Sequence, residues 1–343
     1  MHVAVYLPLI VPAFVALAAR PLADRLPPAA ATWLLAASAL ALALASSAVL
    51  GMLALSALVR LPVVDSVGHL SRPVIAGSDA VSLPVAVVAG GLLVMAAVAG
   101  GRAMWRRGRA IVAAHRHASR LPGSGQVVVT EDAAADAYTV PGWPCRIVIT
   151  QGMLRALSAD ERDVLLAHER SHAQGSHYLF TSAARLAAAA NPLLRPVAAQ
   201  AGYTVERWAD ERAATQTGDR RLAARAIARA ALATSAAPPD RDAAMSALGL
   251  ITQEDQEDQG HQEDQRRAAL PRVNLPRISL PRVNLRRAGP VPRRVAALLA
   301  PPPRPRLLLL VAALVLVAVS GASALEAARN FHQLIELAQG QPV

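Results

Sequence analysis

The sequence predicts a mostly α chain: a four-span helical membrane protein carrying a small cytoplasmic α+β domain between its third and fourth spans. Three observations lead there. The 343 residues are 54% apolar and only 17% charged, against roughly 25% charged in ordinary soluble domains. Four windows, 1–19, 26–59, 80–101 and 307–325, contain no Asp, Glu, Lys or Arg, and about 20 apolar residues suffice for a helix to cross the hydrocarbon core. Between the third and fourth windows, β-branched runs give way to capped helical patterns, as in a compact α+β unit.

Residues 1–101 are expected to form three transmembrane helices, at about 3–19, 31–57 and 82–100. Ala16-Leu17-Ala18 resembles a signal-peptide cleavage site, but no basic residue precedes the apolar run, so the first window is read as a span. A fourth helix is expected over 305–325, followed by a short extracellular tail, 326–343. Orientation follows from arginine, because basic loops stay in the cytoplasm. Arg102, Arg106, Arg107, Arg109, Arg116 and Arg120 follow the third window, and Arg293, Arg294, Arg304 and Arg306 precede the fourth. Both flanks of the middle segment are therefore cytoplasmic, which makes this a multi-pass protein of the cell membrane. All 35 basic residues are Arg, which points to a high-GC bacterial genome.

The middle segment divides by composition. Residues 102–235 form the folded domain, with strands expected over 126–130 and 146–150 and a turn over Tyr138-Thr-Val-Pro-Gly-Trp-Pro144 between them. Ser158 and Glu161 have capping-box spacing, so a helix starts there and ends at Gly175. Further helices are expected over 177–190, 203–217 and from Asp219 to about Thr234. Residues 236–304 read as a linker, first acidic, then built on Leu-Pro-Arg repeats that disfavour a helix. Eleven Arg and no acid lie in 266–306, a composition suited either to a solvated tether or to contact with anionic lipid. The formal charge of +11 comes largely from this segment. No nucleic-acid-binding motif accompanies it, and no direct nucleic-acid binding is expected. The single cysteine, Cys145, excludes an internal disulfide or a cysteine-based zinc site.

The chemistry concentrates in His168-Glu-Arg-Ser-His172. Two imidazoles four residues apart on a helix lie about 40° apart around its axis, so both reach one ion, with Zn²⁺ expected. Glu169, rotated about 100° from His168, is placed to take a proton from water as general base. A catalytic ion needs a third protein ligand. Glu206, with Asp210 four residues on, sits on a separate expected helix. Glu206 is the candidate third ligand, and Asp210 the outer acceptor for a ligand histidine. Tyr203 is a candidate oxyanion donor, with packing at a helix start the alternative. His177, beyond Gly175, is read as a surface or core residue, and His115 and His117 as solvated.

The runs HERSH at 168–172, NPLL at 191–194 and ERWAD at 206–210, placed between a third and fourth span, resemble the BlaR/MecR-type integral membrane metallopeptidases of the gluzincin clan. The resemblance implies a zincin-like fold, His168, His172 and Glu206 as zinc ligands and Glu169 as base. It also implies a cytoplasmic protein as substrate, a transcriptional repressor by analogy. The large extracellular penicillin-binding sensor of those proteins has no counterpart in the 18 residues after the fourth window. A signalling membrane protein whose metal site is structural or weakly active is the alternative function. Intramembrane proteolysis is disfavoured, because Glu161, Arg162, Asp163 and Arg170 make the motif helix too charged for lipid.

Overall fold

A computed structural model of the chain describes residues 6–58, 82–121, 125–142, 145–235, 289–302 and 306–338. The acidic and Pro-Arg repeats expected as a linker lie outside the described residues up to 288, and so does the loop between the second and third windows. The fold is mostly helical with one small sheet. It divides into two compact units: Met1–Trp105 with Leu179–Val205 and Pro303–Val343, and Arg106–Tyr178 with Glu206–Pro302.

The four apolar windows become α1 (Leu7–Arg25), α2 (Pro28–Leu58), α3 (Leu83–Arg120) and a last helix, α10 (Leu307–Ala338). All four are long and apolar enough to cross a membrane. Three run past their expected ends, the first of them to Arg25 rather than 19. Gly and β-branched residues do not break α3 at residue 100, and its Arg-rich extension continues helically to Arg120. Likewise the expected tail after 325 is helical to Ala338. In the first unit Val11, Val15, Leu35 and Leu42 pack with Leu194, Val197 and Tyr203. Large apolar side chains elsewhere on these helices stay exposed, among them Leu17, Val87, Val94 and Leu308. An exposed apolar belt of this kind suits lipid rather than water.

Among the described residues the second unit holds three strands where two were expected. β1 (Val127–Thr130) pairs parallel with β3 (Arg146–Thr150), and β2 (Ala137–Val140) pairs antiparallel with β3 on its other side. The expected turn thus begins later than Tyr138. Tyr138, Thr139 and Val140 are aromatic or β-branched and fit a pleated surface, whereas Pro141 cannot donate to the ladder and ends it. A short α4 (Gln151–Ala156), not expected, is capped by Thr150, whose hydroxyl accepts from the Met153 N–H at 3.1 Å.

The motif helix α5 (Ala159–Gly175) starts as its capping box predicts, with the Ser158 N–H donating to Glu161 Oε2 at 3.0 Å. It ends at Ser176, whose φ of 47° is left-handed. α6 (His177–Ala190) follows. α7 spans Arg195–Thr217, beginning well before the expected 203, because Asn191 caps a short 3₁₀ turn and Pro196 falls in the tolerant first turn of the helix. Asp219 then caps α8 (Arg220–Ser235), accepting from the N–H groups of Arg221 and Leu222.

The expected linker is interrupted by α9 (Pro290–Leu299). Proline at its first position removes a donor that a helix start leaves unpaired anyway. Leu298, 2% exposed, packs among Val164, Ala213, Ala223, Ala224 and Ile227, a burial that stabilises by about 1.5–3 kcal/mol. Arg220 secures the other end, donating to Leu298 O at 3.0 Å and Ala297 O at 3.2 Å while paired with Glu211. A cation against the last carbonyls of a helix also complements its dipole.

Candidate metal centre

α5 presents His168 and His172 on one face, as the spacing predicts, and their Nε2 atoms lie 3.1 Å apart. Glu206 on α7 meets both, with Oε2 3.6 Å from His168 Nε2 and Oε1 3.5 Å from His172 Nε2. Two bonds of about 2.0–2.1 Å at a tetrahedral angle place donor atoms roughly 3.3 Å apart, so the three spacings fit one shared ion. One donor atom from each of the three residues lies within 4.8 Å of the others. Two nitrogens and a carboxylate oxygen are a donor set that zinc accepts, and an open fourth position would make the site catalytic.

The outer contacts make the fit more specific. His168 Nδ1 faces Asp210 Oδ1 at 3.0 Å, the carboxylate partner that orients a ligating imidazole. Asp210 is 1% exposed and in turn accepts two bonds from Arg294 of α9, from Nε and Nη2 at 2.7 Å each. Arg294 Nη1 also lies 3.1 Å from Glu206 Oε2. A planar guanidinium suits this fork. Arg294 was counted above as one of the basic residues flanking the fourth span. Instead its charge is committed to the site.

Glu169 is buried beside these three residues. Thr139 of β2 donates to its Oε2 at 2.7 Å and lies 3.0 Å from its backbone oxygen, so the sheet edge holds the carboxylate that sequence reasoning named as base. His177, read above as surface or core, is 1% exposed. Its Nδ1 lies 3.0 Å from His172 Nδ1, and its ring packs against Trp208, tilted by 39° with the centroids 4.6 Å apart. Tyr203 belongs to the first unit, where it packs in the apolar cluster. Thr139 and Arg294 were missed from the sequence.

Charge is distributed unevenly. Burial alone would lower the His168 pKa, but Asp210 and Glu206 overcome it and push it up to about 10. Burial lowers His172 to about 4 and His177 to about 3, so those two rings are neutral near pH 7. Burial works against an ionised Glu206, yet Arg294, His172 and His168 hold it well below the usual carboxylate range. Glu169 is raised above that range, chiefly by burial, as a proton-transferring carboxylate needs.

A buried carboxylate beside two converging imidazoles and a second carboxylate is the arrangement that a metal-dependent hydrolytic centre would need. The family comparison agrees with that class: residues 106–204 match the model of Peptidase family M48, a family of zinc metallopeptidases. The match takes in His168, Glu169 and His172 and stops short of Glu206 and Asp210, whose assignment rests on the geometry. Neither a search of curated proteins nor one of solved structures finds a match.

Proposed function

We propose that the chain is a membrane-anchored zinc metalloendopeptidase that hydrolyses peptide bonds of a cytoplasmic protein. The observation that carries this reading is the convergence of His168, His172 and Glu206 beside a buried Glu169 whose orientation Thr139 holds. Bound by those three residues, the ion would act as a Lewis acid that polarises the scissile carbonyl and acidifies a water. Thr139 keeps Oε2 of Glu169, leaving Oε1 to take the proton as water attacks. The same carboxyl then delivers that proton to the leaving amine, and its raised pKa suits both roles. Asp210 and Arg294 keep His168 and Glu206 in register. The four apolar helices supply the anchor, and the arginine bias argues for an active site on the cytoplasmic side of a bacterial membrane. A repressor is the substrate class that the BlaR/MecR resemblance brings, and the Arg-rich stretch 266–306 is a candidate contact for anionic lipid.

The test is the purified full chain in detergent, assayed for metal content and for cleavage of casein. About one zinc per chain and cleavage abolished by a chelator are expected. Metal-free protein, or cleavage indifferent to chelation, overturns the reading. Bound metal with no cleavage would return the function to a signalling protein with a structural site.

A further inference from the structure

We propose that His177 is a positioning residue for the metal centre, accepting a hydrogen bond from His172 Nδ1–H and so fixing the tautomer and ring orientation in which His172 Nε2 offers its lone pair to the ion. The inference rests on the proposed metal site. It starts from two nitrogens, His177 Nδ1 and His172 Nδ1, at 3.0 Å. Two ring nitrogens at that distance share one hydrogen, and the direction follows from the other end of the His172 ring. Its Nε2 converges with His168 Nε2 and Glu206, so as a ligand it carries no hydrogen there. The hydrogen is therefore on Nδ1 of His172, and Nδ1 of His177 accepts it.

Three features hold His177 to this task. Ser176, left-handed at φ 47°, breaks α5 immediately before it. On an unbroken helix a residue five positions on would point about 140° away from His172; the break brings it back. The ring then packs against Trp208, with the centroids 4.6 Å apart. Gly175 makes room for it, because a Cβ there would lie 2.4 Å from His177 Nε2. The two histidine ligands are thus oriented by different means, His168 by the carboxylate of Asp210 and His172 by a neutral imidazole. The second arrangement fixes a ring without adding negative charge to a site that already contains Glu169, Glu206 and Asp210.

The test uses the purified full chain and three substitutions. His177→Phe keeps a ring against Trp208 and removes the acceptor. His177→Asn restores an acceptor near the Nδ1 position, and Gly175→Ala displaces the ring without altering its chemistry. Zinc affinity is read by competition with a chromophoric chelator, and ligand geometry by the visible spectrum of the cobalt-loaded chain. His177→Phe is expected to weaken zinc binding by about 10–100-fold and to change the cobalt bands, Gly175→Ala to act in the same direction, and His177→Asn to restore both readouts. A folded His177→Phe chain with wild-type affinity and spectrum overturns the proposal, as does an Asn variant no better than Phe. Should Phe fail to fold, Gly175→Ala and His177→Asn decide it: wild-type affinity in the first, or lost affinity in the second, refutes the role. Failure of the wild-type chain to bind either metal would refute the metal site beneath it.

Discussion

Asp210→Asn measures how strongly the outer ring of the site supports its ligands. Asp210 is 1% exposed, takes two bonds from Arg294 at 2.7 Å each and faces His168 Nδ1 at 3.0 Å. Asparagine keeps the outline but has one oxygen, so either Arg294 or His168 meets an NH₂ group where it needs an acceptor. A hydrogen bond to a charged group contributes about 1.5–3 kcal/mol, and uncoupling one partner of a buried pair costs about 3–5 kcal/mol. The cost divides between two observables. The share felt through His168 weakens zinc binding by about 10–100-fold, or about 1.4–2.7 kcal/mol. The remainder, on the order of 1–3 kcal/mol, appears as lower thermal stability of the zinc-free chain, because Arg294, whose side chain is only 13% exposed, loses one of its two carboxylate partners and keeps only Glu206. Chelator competition and a melting curve followed by fluorescence read the two. Adding Arg294→Gln should be less harmful in the Asp210→Asn background than alone, with a coupling of about 0.5–3 kcal/mol. Wild-type zinc affinity in Asp210→Asn, together with strict additivity in the double variant, would show that Asp210 does not support the metal residues through His168 and Arg294.

Three further outcomes follow from the same contacts. Thr139→Val, nearly isosteric, removes the donor to Glu169 Oε2 and should lower kcat by about tenfold with little change in KM; because that bond lowers the Glu169 pKa, the acidic limb of the rate profile should move to higher pH, and an unmoved limb would count against Glu169 as base. In the metal-free chain at pH 7, His168, pushed up to about 10, holds a proton, whereas His172, at about 4, does not. Zinc binding should therefore release about one proton, measurable as buffer-dependent enthalpy in calorimetry, and zero release would contradict the His168 environment. A topology reporter fused after Ser235 should be active only in its cytoplasmic form, and periplasmic activity there would overturn the four-span orientation.

The clustering of His168, His172, Glu206 and Asp210 was legible because its signal is local. His168 and His172, like Glu206 and Asp210, lie four residues apart, and one turn of any helix brings such pairs to one face. Arg294 carries no such signal. It reaches Asp210 across 84 positions and a repeat tract, and its neighbours read as a basic flank of a membrane span. Thr139 had a signal that was misread: the Tyr138-Thr139-Val140 run has strand character, but Pro141-Gly142 behind it drew the reading toward a turn. His177 was set aside because Gly175 ends the helix, and that same break is what turns it back to His172. For α9, the proline repeats before residue 289 masked an apolar pair, Val295 and Leu298, that gives the segment a face to bury.

Glu169→Gln in the purified full chain, with zinc content and peptide cleavage measured on the same sample, separates metal binding from catalysis. Glutamine keeps the size of the side chain and loses its basicity, while His168, His172 and Glu206 are untouched. Zinc should be retained at the wild-type level and turnover reduced by roughly 10²- to 10⁴-fold. Cleavage at near wild-type rate that a chelator still abolishes would contradict this, leaving a metal site whose base is some other group.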